Sequence, residues 1–385
     1  MRILHTSDWH LGRQLHRVSL LQEQRAFLKH LLKTVQEQRV EVVAVAGDVF
    51  DRAIPPLDAI DHFNWILEQL ADLGVPLVMI SGNHDSPRRL GVNARLIERA
   101  GIYLRTGAED CARPAILHDE HGPVAFYGLP YLEPGLVQAH FAAEKPSHHA
   151  VLSAAMEQVR TDLATRPAGT RSVVLAHAFV TGADTSESER DITAGGVPSV
   201  SASVFAGTDY VALGHLHRCQ KISERIRYSG SPLAYSFSEA EHPKAMWLVD
   251  LGADGTITAH KLLCPVPRAM RQLTGALQDL LASPEYSEYE ECWLHVTLTD
   301  PDRPHMAMEQ LQQRFPHALK LSFSHERRTA DDESYRSRVQ GRTDHEIALG
   351  FLHHVTGTPA TGAEQDLLQE GLESVRTQAA AREAS

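Results

Sequence analysis

Residues 42–50 read VVAVAGDVF. Five small apolar residues run into a glycine and then Asp48. A short run that is apolar on both faces is the pattern of a buried parallel strand. A carboxylate at the carboxyl end of such a strand faces the crevice where open α/β sheets bind their ligands. Alone, that carboxylate would say little, because an aspartate at a strand end is more often a turn or helix-cap residue.

The same arrangement recurs along the chain. Residues 2–7 form a short strand that delivers Asp8 and His10. Residues 77–80 deliver Asn83, His84 and Asp85, residues 173–176 deliver His177, and residues 210–213 deliver His215 and His217. The candidate ligands are therefore two Asp, one Asn and four His, all at strand ends. Two pairs have the form D-x-H and H-x-H. Independent turn residues would not fall into this pattern at five strand ends.

These donors are oxygen and imidazole nitrogen with no thiolate, a set that suits Mn²⁺, Zn²⁺ or Fe²⁺. Seven ligands are too many for one ion. With Asp48 as the bridge they supply four contacts to each of two ions, about 3.5–4 Å apart in sites of this kind. Such a pair activates a water and clamps an in-line displacement at phosphorus. His84 follows the ligand Asn83, so by alternation it is expected to point away from the metals and toward the leaving group. It is the natural general acid, with Asp51 or Asp85 to orient it. The expected chemistry is phosphoester hydrolysis.

The rest of the chain bounds this reading. The 385 residues predict two to three domains by the length rule of roughly 150 residues each. The composition, 43% hydrophobic and 22% charged, is that of an ordinary globular protein. No apolar run approaches the ~18 residues of a membrane span. Asp8 and His10 interrupt any signal-peptide core. Cys111, Cys219, Cys264 and Cys292 form no C-x-x-C pair and read as reduced thiols, so a cytoplasmic location is expected. A net charge of −12 argues against gripping nucleic acid by bulk electrostatics but leaves room for local contacts.

Periodicity predicts a helix over residues 19–39, with Phe27, Leu28, Leu31, Leu32 and Val35 on one face, and another over 57–73. The order β-α-β-α-β through the Asn83 strand is doubly wound. Helical turns near 87–98 and shorter strands at 102–104 and 124–128 follow. A helix over 147–163 leads to the His177 strand. Residues 181–197 read as a long polar loop beside the site. The later strands, 226–228 and 247–251, suggest a second sheet packed on the first. Past the prolines near 264–268 a small β-α-β unit begins. A polar linker follows, then two short amphipathic helices opened by capping boxes at Thr343/Glu346 and Thr361/Glu364.

These residues carry a resemblance. Asp8-x-His10, Gly47-Asp48-x-x-Asp51, Gly82-Asn83-His84-Asp85, His177 and Gly214-His215-x-His217 resemble the motif set of the calcineurin-like metallophosphoesterases. The words DWHLG at 8–12, SESER at 186–190, DYVALGHLH at 209–217 and YSGSPLAYSFSE at 228–239 resemble the SbcD family of bacterial nuclease subunits, related to the double-strand-break repair nucleases. The resemblance is specific over residues 1–265 and weak in the tail.

The resemblance implies an α/β fold: a two-sheet metallophosphoesterase sandwich flanked by helices, with a small α+β capping domain and a helical C-terminal tail. The expected segments are 1–265 (nuclease domain), 266–325 (DNA-facing cap), 326–341 (linker) and 342–385 (tail). One metal would take Asp8, His10, Asp48 and His217, and the other Asp48, Asn83, His177 and His215. Both ions would be Mn²⁺. The activity implied is 3′–5′ exonuclease and endonuclease action on DNA ends, hairpins and double-strand breaks. The tail would dock on the coiled-coil base of the SbcC ATPase in an assembly with two copies of each chain. Helices near 57–73 and 87–98 would form a homodimer contact. Arg13, Arg17, Arg52, Arg88 and Arg89 are candidate DNA phosphate contacts. Asp51 stands where some archaeal relatives carry a histidine. A phosphoprotein phosphatase or another calcineurin-like phosphodiesterase is the rival reading, but Ala53 interrupts the phosphatase word GDxxDRG and GNHD replaces GNHE.

Overall fold

A computed structural model describes residues 1–185, 188–189, 199–324 and 342–383. It divides into two units, 1–323 and 324–385, each described by itself. The predicted linker at 326–341 lies outside the described residues, as does most of the polar loop at 181–197.

The strand Val42–Ala46 is buried at every residue and sits near the middle of a six-stranded sheet. Its neighbours are Arg2–Thr6 on one side and Leu77–Ile80 on the other, both parallel to it. Ile102–Arg105 closes that edge. On the far side Ala245–Leu251 pairs antiparallel with Arg2–Thr6, and Ile257–Leu263 completes the sheet. The second six-stranded sheet runs in the order Gln220–Lys221, Ile226–Tyr228, Tyr210–Gly214, Arg171–His177, Gly122–Leu129, Ala115–Asp119. The two sheets face each other through a core that includes Ile3, Val42, Val78, Phe126, Val173, Tyr210 and Trp247. Helices Leu21–Glu37 and Leu57–Asp72 cover the outer face of the first sheet. Helices Pro134–Phe141 and His148–Ala164 cover that of the second. Because each sheet has a helical layer outside and a sheet inside, its central strands are apolar on both faces. That is why residues 42–46 show no alternation.

The sequence reading needs four corrections here. The first strands are not doubly wound: both helices of the β-α-β-α-β run lie on one face of their sheet, and the second sheet takes the place of helices on the other. The strand at 247–251 belongs to the first sheet, not the second: the chain crosses back after Tyr228, and Ala245–Leu251 pairs with Arg2–Thr6. Strands Ala115–Asp119 and Ile257–Leu263 escaped prediction because they are edge strands of mixed polarity. The small unit is larger than β-α-β. Met270–Gly275, Trp293–Leu298 and Ala318–Phe323 form a three-stranded parallel sheet, with helices Leu277–Ala282 and Ala307–Arg314 in its connections. It has its own core around Leu280, Leu294, Val296, Leu311 and Phe315. It joins the main body through Leu15, Leu20, Leu233, Tyr235, Phe237, Met270 and Trp293.

In the second unit, Asp344–Thr356 and Gly362–Glu383 are helical. The second helix spans 22 residues, so the expectation of two short helices fails there. The Thr343/Glu346 capping box forms in both halves, and at Thr361 the half in which the Glu364 carboxylate accepts from the backbone N–H is present at 2.7 Å. Among the described residues, no helix is long and apolar enough to cross a membrane. All four cysteines are buried and unpaired.

Candidate metal centre

The carboxyl ends of parallel strands place the seven predicted ligands at one edge of the sandwich. Asp8 and His10 follow Arg2–Thr6, and Asp48 follows Val42–Ala46. Asn83 follows Leu77–Ile80. His177 ends Arg171–His177, and His215 and His217 follow Tyr210–Gly214. Asp8, His10, Asp48, His177, His215 and His217 are all nearly inaccessible to solvent.

The turns that carry them are tight. Asp8, His10, Asp48 and His215 all hold positive φ, at 52°, 44°, 49° and 100°. Non-glycine residues rarely adopt this region, and where they do the surrounding structure must enforce it. Here it does so with backbone bonds: Asp8 N–H donates to the Gly47 carbonyl and His10 N–H to that of Asp48, both at 2.9 Å. Gly82 is required for a different reason. A Cβ on it would run into the Asp48 carboxylate.

Within this edge the ligand atoms crowd together. Asp48 Oδ2 lies 3.6 Å from His10 Nε2, 3.5 Å from His177 Nε2 and 4.0 Å from His84 Nε2. His10 Nε2 and His217 Nε2 face each other at 3.1 Å. Asn83 Oδ1 is 2.9 Å from His177 Nε2 and 3.2 Å from His215 Nδ1. Among the described residues, three overlapping groups have ligand atoms within 4.8 Å of one another: Asp8, His10 and His217; His10, Asp48 and His84; and Asp8, Asp48 and His177. Asp8, His10 and Asp48 each belong to two of them.

The donor chemistry fits divalent cations. His177 Nδ1 is 2.9 Å from the Ala46 carbonyl, so it carries the proton and donates there. That leaves the Nε2 lone pair facing the oxygens of Asn83 and Asp48, an arrangement that a positive charge relieves. On the protein alone a proton supplies it. Burial pulls the His177 pKa down, but the Asp48 carboxylate outweighs it and lifts the value to about 9. Burial pushes Asp8 up to about 6 despite the attraction of His177 and His217. Among the described residues, His10 Nδ1 is buried with no hydrogen-bond partner. Oxygen and imidazole donors packed this closely match the hard-to-borderline divalent ions.

The two proposed orienting carboxylates behave differently from expectation. His84 Nδ1 donates to the backbone carbonyl of Asp51 at 2.8 Å, so Asp51 meets the ring through its main chain. The Asp51 carboxylate instead accepts from Arg13 at 3.0 Å. Asp85 directs its carboxylate to the backbone N–H groups of Val49, Phe50 and Gly82 at 2.8–3.0 Å. It thus ties the Asp48 turn to the Asn83 turn. Burial and the adjacent Asp48 charge push its pKa up to about 7. His84 itself does not turn away from the ligands: its ring packs edge-on against His10 at 4.6 Å between centroids. Alternation failed as a guide because the residues after Ile80 have left the strand.

Of the five arginines, Arg13 is tied down. It bonds Asp51, donates to the Ser188 carbonyl at 3.2 Å and lies over the Tyr235 ring at 5.1 Å. Arg17, Arg52, Arg88 and Arg89 are exposed. Arg88 lines a cavity of about 800 Å³ that opens beside Asn83 and also meets Arg95, Arg113 and Tyr131.

Sequence reasoning gave no role to the residues behind the ligands. Ser7 Oγ donates to the Asp8 carboxylate, and Tyr235 packs edge-on against both His10 and His217 at 5.3 and 5.6 Å. Glu239 is fully buried beside His217 and Lys244. Burial opposes ionisation of Glu239, but the Lys244 charge and the His217 hydrogen bond hold it well below the usual carboxylate range. Tyr235 and Glu239 both lie in the 228–239 stretch, and its family words were the one signal that could have found them.

Residues 1–219 match the calcineurin-like phosphoesterase family, and residues 266–356 match the type 5 capsule protein repressor C-terminal domain. The D subunit of nuclease SbcCD from Staphylococcus saprophyticus is 31% identical over 364 residues, covering 94% of this chain and 95% of that protein. Among solved structures, TT1561 of Thermus thermophilus matches 68% of this chain and 98% of its own, with 14% identity and a TM-score of 0.39. A dimetal phosphatase from Danio rerio has the same coverage and identity with a TM-score of 0.37. Likeness at those scores adds nothing to the assignment, which rests on the full-length relative and the family match over the site. The chain belongs to the calcineurin-like phosphoesterases and, within them, to the SbcD family of nuclease subunits.

Proposed function

We propose that this chain is a metal-dependent DNA nuclease that hydrolyses phosphodiester bonds as the nuclease component of a complex with an SbcC-type ATPase. The observation that carries the reading is the match along 94% of the chain to a nuclease subunit, with five of the seven candidate ligands in clustered groups and Asn83 contacting both His177 and His215. Asp8, His10, Asp48 and His217 hold one divalent ion, and Asp48, Asn83, His177 and His215 the other, with Mn²⁺ as the activating metal. When bound, such a pair lowers the pKa of a water and neutralises charge on the phosphoryl oxygens. The chain's own residues supply the proton chemistry. His84 is held by its Nδ1 bond to the Asp51 carbonyl, so Nε2 is the atom that faces the site. In the protonated ring, Nε2–H is placed to protonate the leaving oxygen.

Residues 266–325 act as the DNA-facing cap, seated on the main body through Met270, Trp293 and Phe237. The exposed Arg17, Arg52, Arg88 and Arg89 contact phosphates, while Arg13 serves the site by holding Asp51. Exposed Leu57, Val92 and Leu96 support a homodimer contact through the helices near 57–73 and 87–98. Exposed Phe351, Val355 and Leu367 support docking of the tail on SbcC in an assembly with two copies of each chain. The cellular role that follows is processing of DNA ends, hairpins and double-strand breaks in repair, recombination and replication, in the cytoplasm.

The test is cleavage of labelled single- and double-stranded DNA with Mn²⁺, Mg²⁺ or EDTA. Mn²⁺-dependent cleavage is expected. His84→Ala should retain both metals and lose cleavage by ~10²–10⁴. Unchanged turnover in that variant removes the proton-donor role. If the wild-type chain cleaves a small phosphodiester but no DNA, even with SbcC and ATP, the substrate assignment is wrong.

A further inference from the structure

Behind the ligand His217 lies a buried charged network that no part of the proposed chemistry uses. Glu239 and Lys244 are 0% and 5% exposed and form an ion pair through Glu239 Oε2. Lys244 Nζ also donates to Ser231 Oγ at 2.9 Å and to the backbone carbonyl of His217 at 3.0 Å. The other oxygen of Glu239 accepts from Ser188 Oγ and lies 3.4 Å from His217 Nδ1. Ser188 Oγ is itself 2.6 Å from that nitrogen. The backbone N–H of His217 donates to the Glu189 carboxylate at 2.7 Å. His217 is thus gripped at its amide, its carbonyl and one ring nitrogen.

Removing two charges from water is expensive, and apolar replacements are commonly as stable. Stability therefore gives no account of an ion pair at this place. Its geometry does. An imidazole has one proton to place when neutral, and the partner of one nitrogen fixes the state of the other. A carboxylate and a hydroxyl at Nδ1 hold the proton there. Nε2 is then the lone-pair atom, and it faces His10 Nε2 at 3.1 Å beside Asp8. Lys244 keeps Glu239 ionised and, by bonding the His217 carbonyl, fixes the main chain that carries the ring.

We propose that Glu239, held by Lys244, is a positioning residue that fixes the Nδ1–H tautomer and the orientation of His217, and so tunes the metal bound by Asp8, His10 and His217 in preference to the one on the Asn83 side. The inference rests on the two-metal reading above. It predicts an asymmetry, because the described contacts of Glu239 reach His217, while the His177 ring is held separately by the Ala46 carbonyl.

The experiment is Mn²⁺ titration of the full-length, metal-stripped protein by calorimetry, with electron paramagnetic resonance to detect the spin-coupled pair. The variants are Glu239→Gln and the double variant Glu239→Gln/Lys244→Met, which leaves no buried lysine unbalanced if the single change impairs folding. The expected result is that one of two sites weakens by about 10–100-fold, the range for loss of such a partner. The other site should keep its affinity, the coupled signal should fade at sub-saturating Mn²⁺, and the metal-free double variant should melt as a folded protein. Equal weakening of both sites together with a lower metal-free melting temperature would make the pair merely structural and overturn the proposal. So would wild-type affinity at both sites in a folded variant. Failure of the wild-type chain to bind two ions would overturn the two-metal reading itself, and this inference with it.

Discussion

Asp48 sits where three imidazoles converge, is 2% exposed, and holds a positive φ that its side chain does not favour. The Asp48 carboxylate is held well below the usual range: burial works against ionisation, but His177, His10 and His84 outweigh it. Asp48→Asn keeps the shape and removes the charge that both ions would share in the proposed bridge. The expected outcome is loss of bound metal together with activity, read as metal per chain after desalting. Full metal content in the variant would take Asp48 out of the bridging position. The candidate ligands were legible as residues because their types recur at strand ends. The roles of Asp51 and Asp85 were not, because each depends on contacts with turns 33 to 36 positions away.

At the scale of elements, the strand ends can converge only if the two sheets stay in register. One contact across the second sheet is charged: Arg171 pairs with Asp119 at 2.5 Å, and both side chains are 3% exposed. The Arg171 hydrogen bond is the first cause of the strongly depressed Asp119 pKa. A carboxylate depressed in the folded state stabilises above its unfolded pKa of ~3.9 and loses that contribution as pH falls through the folded value. Asp119→Asn should therefore cost about 3–5 kcal/mol at pH 7, since it leaves the buried Arg171 guanidinium and the Met1 ammonium without their counter-charge. The deficit should still be present near pH 4 and shrink only at more acidic pH. Denaturant melts across that range measure it, and equal stability at pH 7 would remove the pair from the forces holding the sheet. The edge strand that carries Asp119 was invisible to pattern reading, because a half-exposed strand of mixed residues has no periodicity to detect.

For the whole molecule, the first unit carries the candidate metal centre and the small three-stranded sheet, and the second carries the helical tail. The tail helices have no buried residue among those described and expose Phe351, Val355 and Leu367. Deleting residues 342–385 should leave metal binding and basal DNA cleavage intact and abolish co-purification with the SbcC-type ATPase. A deleted chain that still binds the ATPase would refute the docking reading.

By itself the sequence determined the β-α-β-α-β order of the first strands and singled out the seven candidate ligands and the candidate general acid. Each depends on local facts: apolar runs long enough to be strands, and donor types just past their ends. Tertiary structure alone decided that the strand at 245–251 returns to the first sheet. It also decided that Asp85 braces two turns, that Arg13 holds Asp51, and that Glu239 stands behind His217. Those partners lie far apart in the chain, and a buried carboxylate has the same letter whether it binds a metal, caps a turn or orients a histidine. Only the packing of two sheets against each other separates the three.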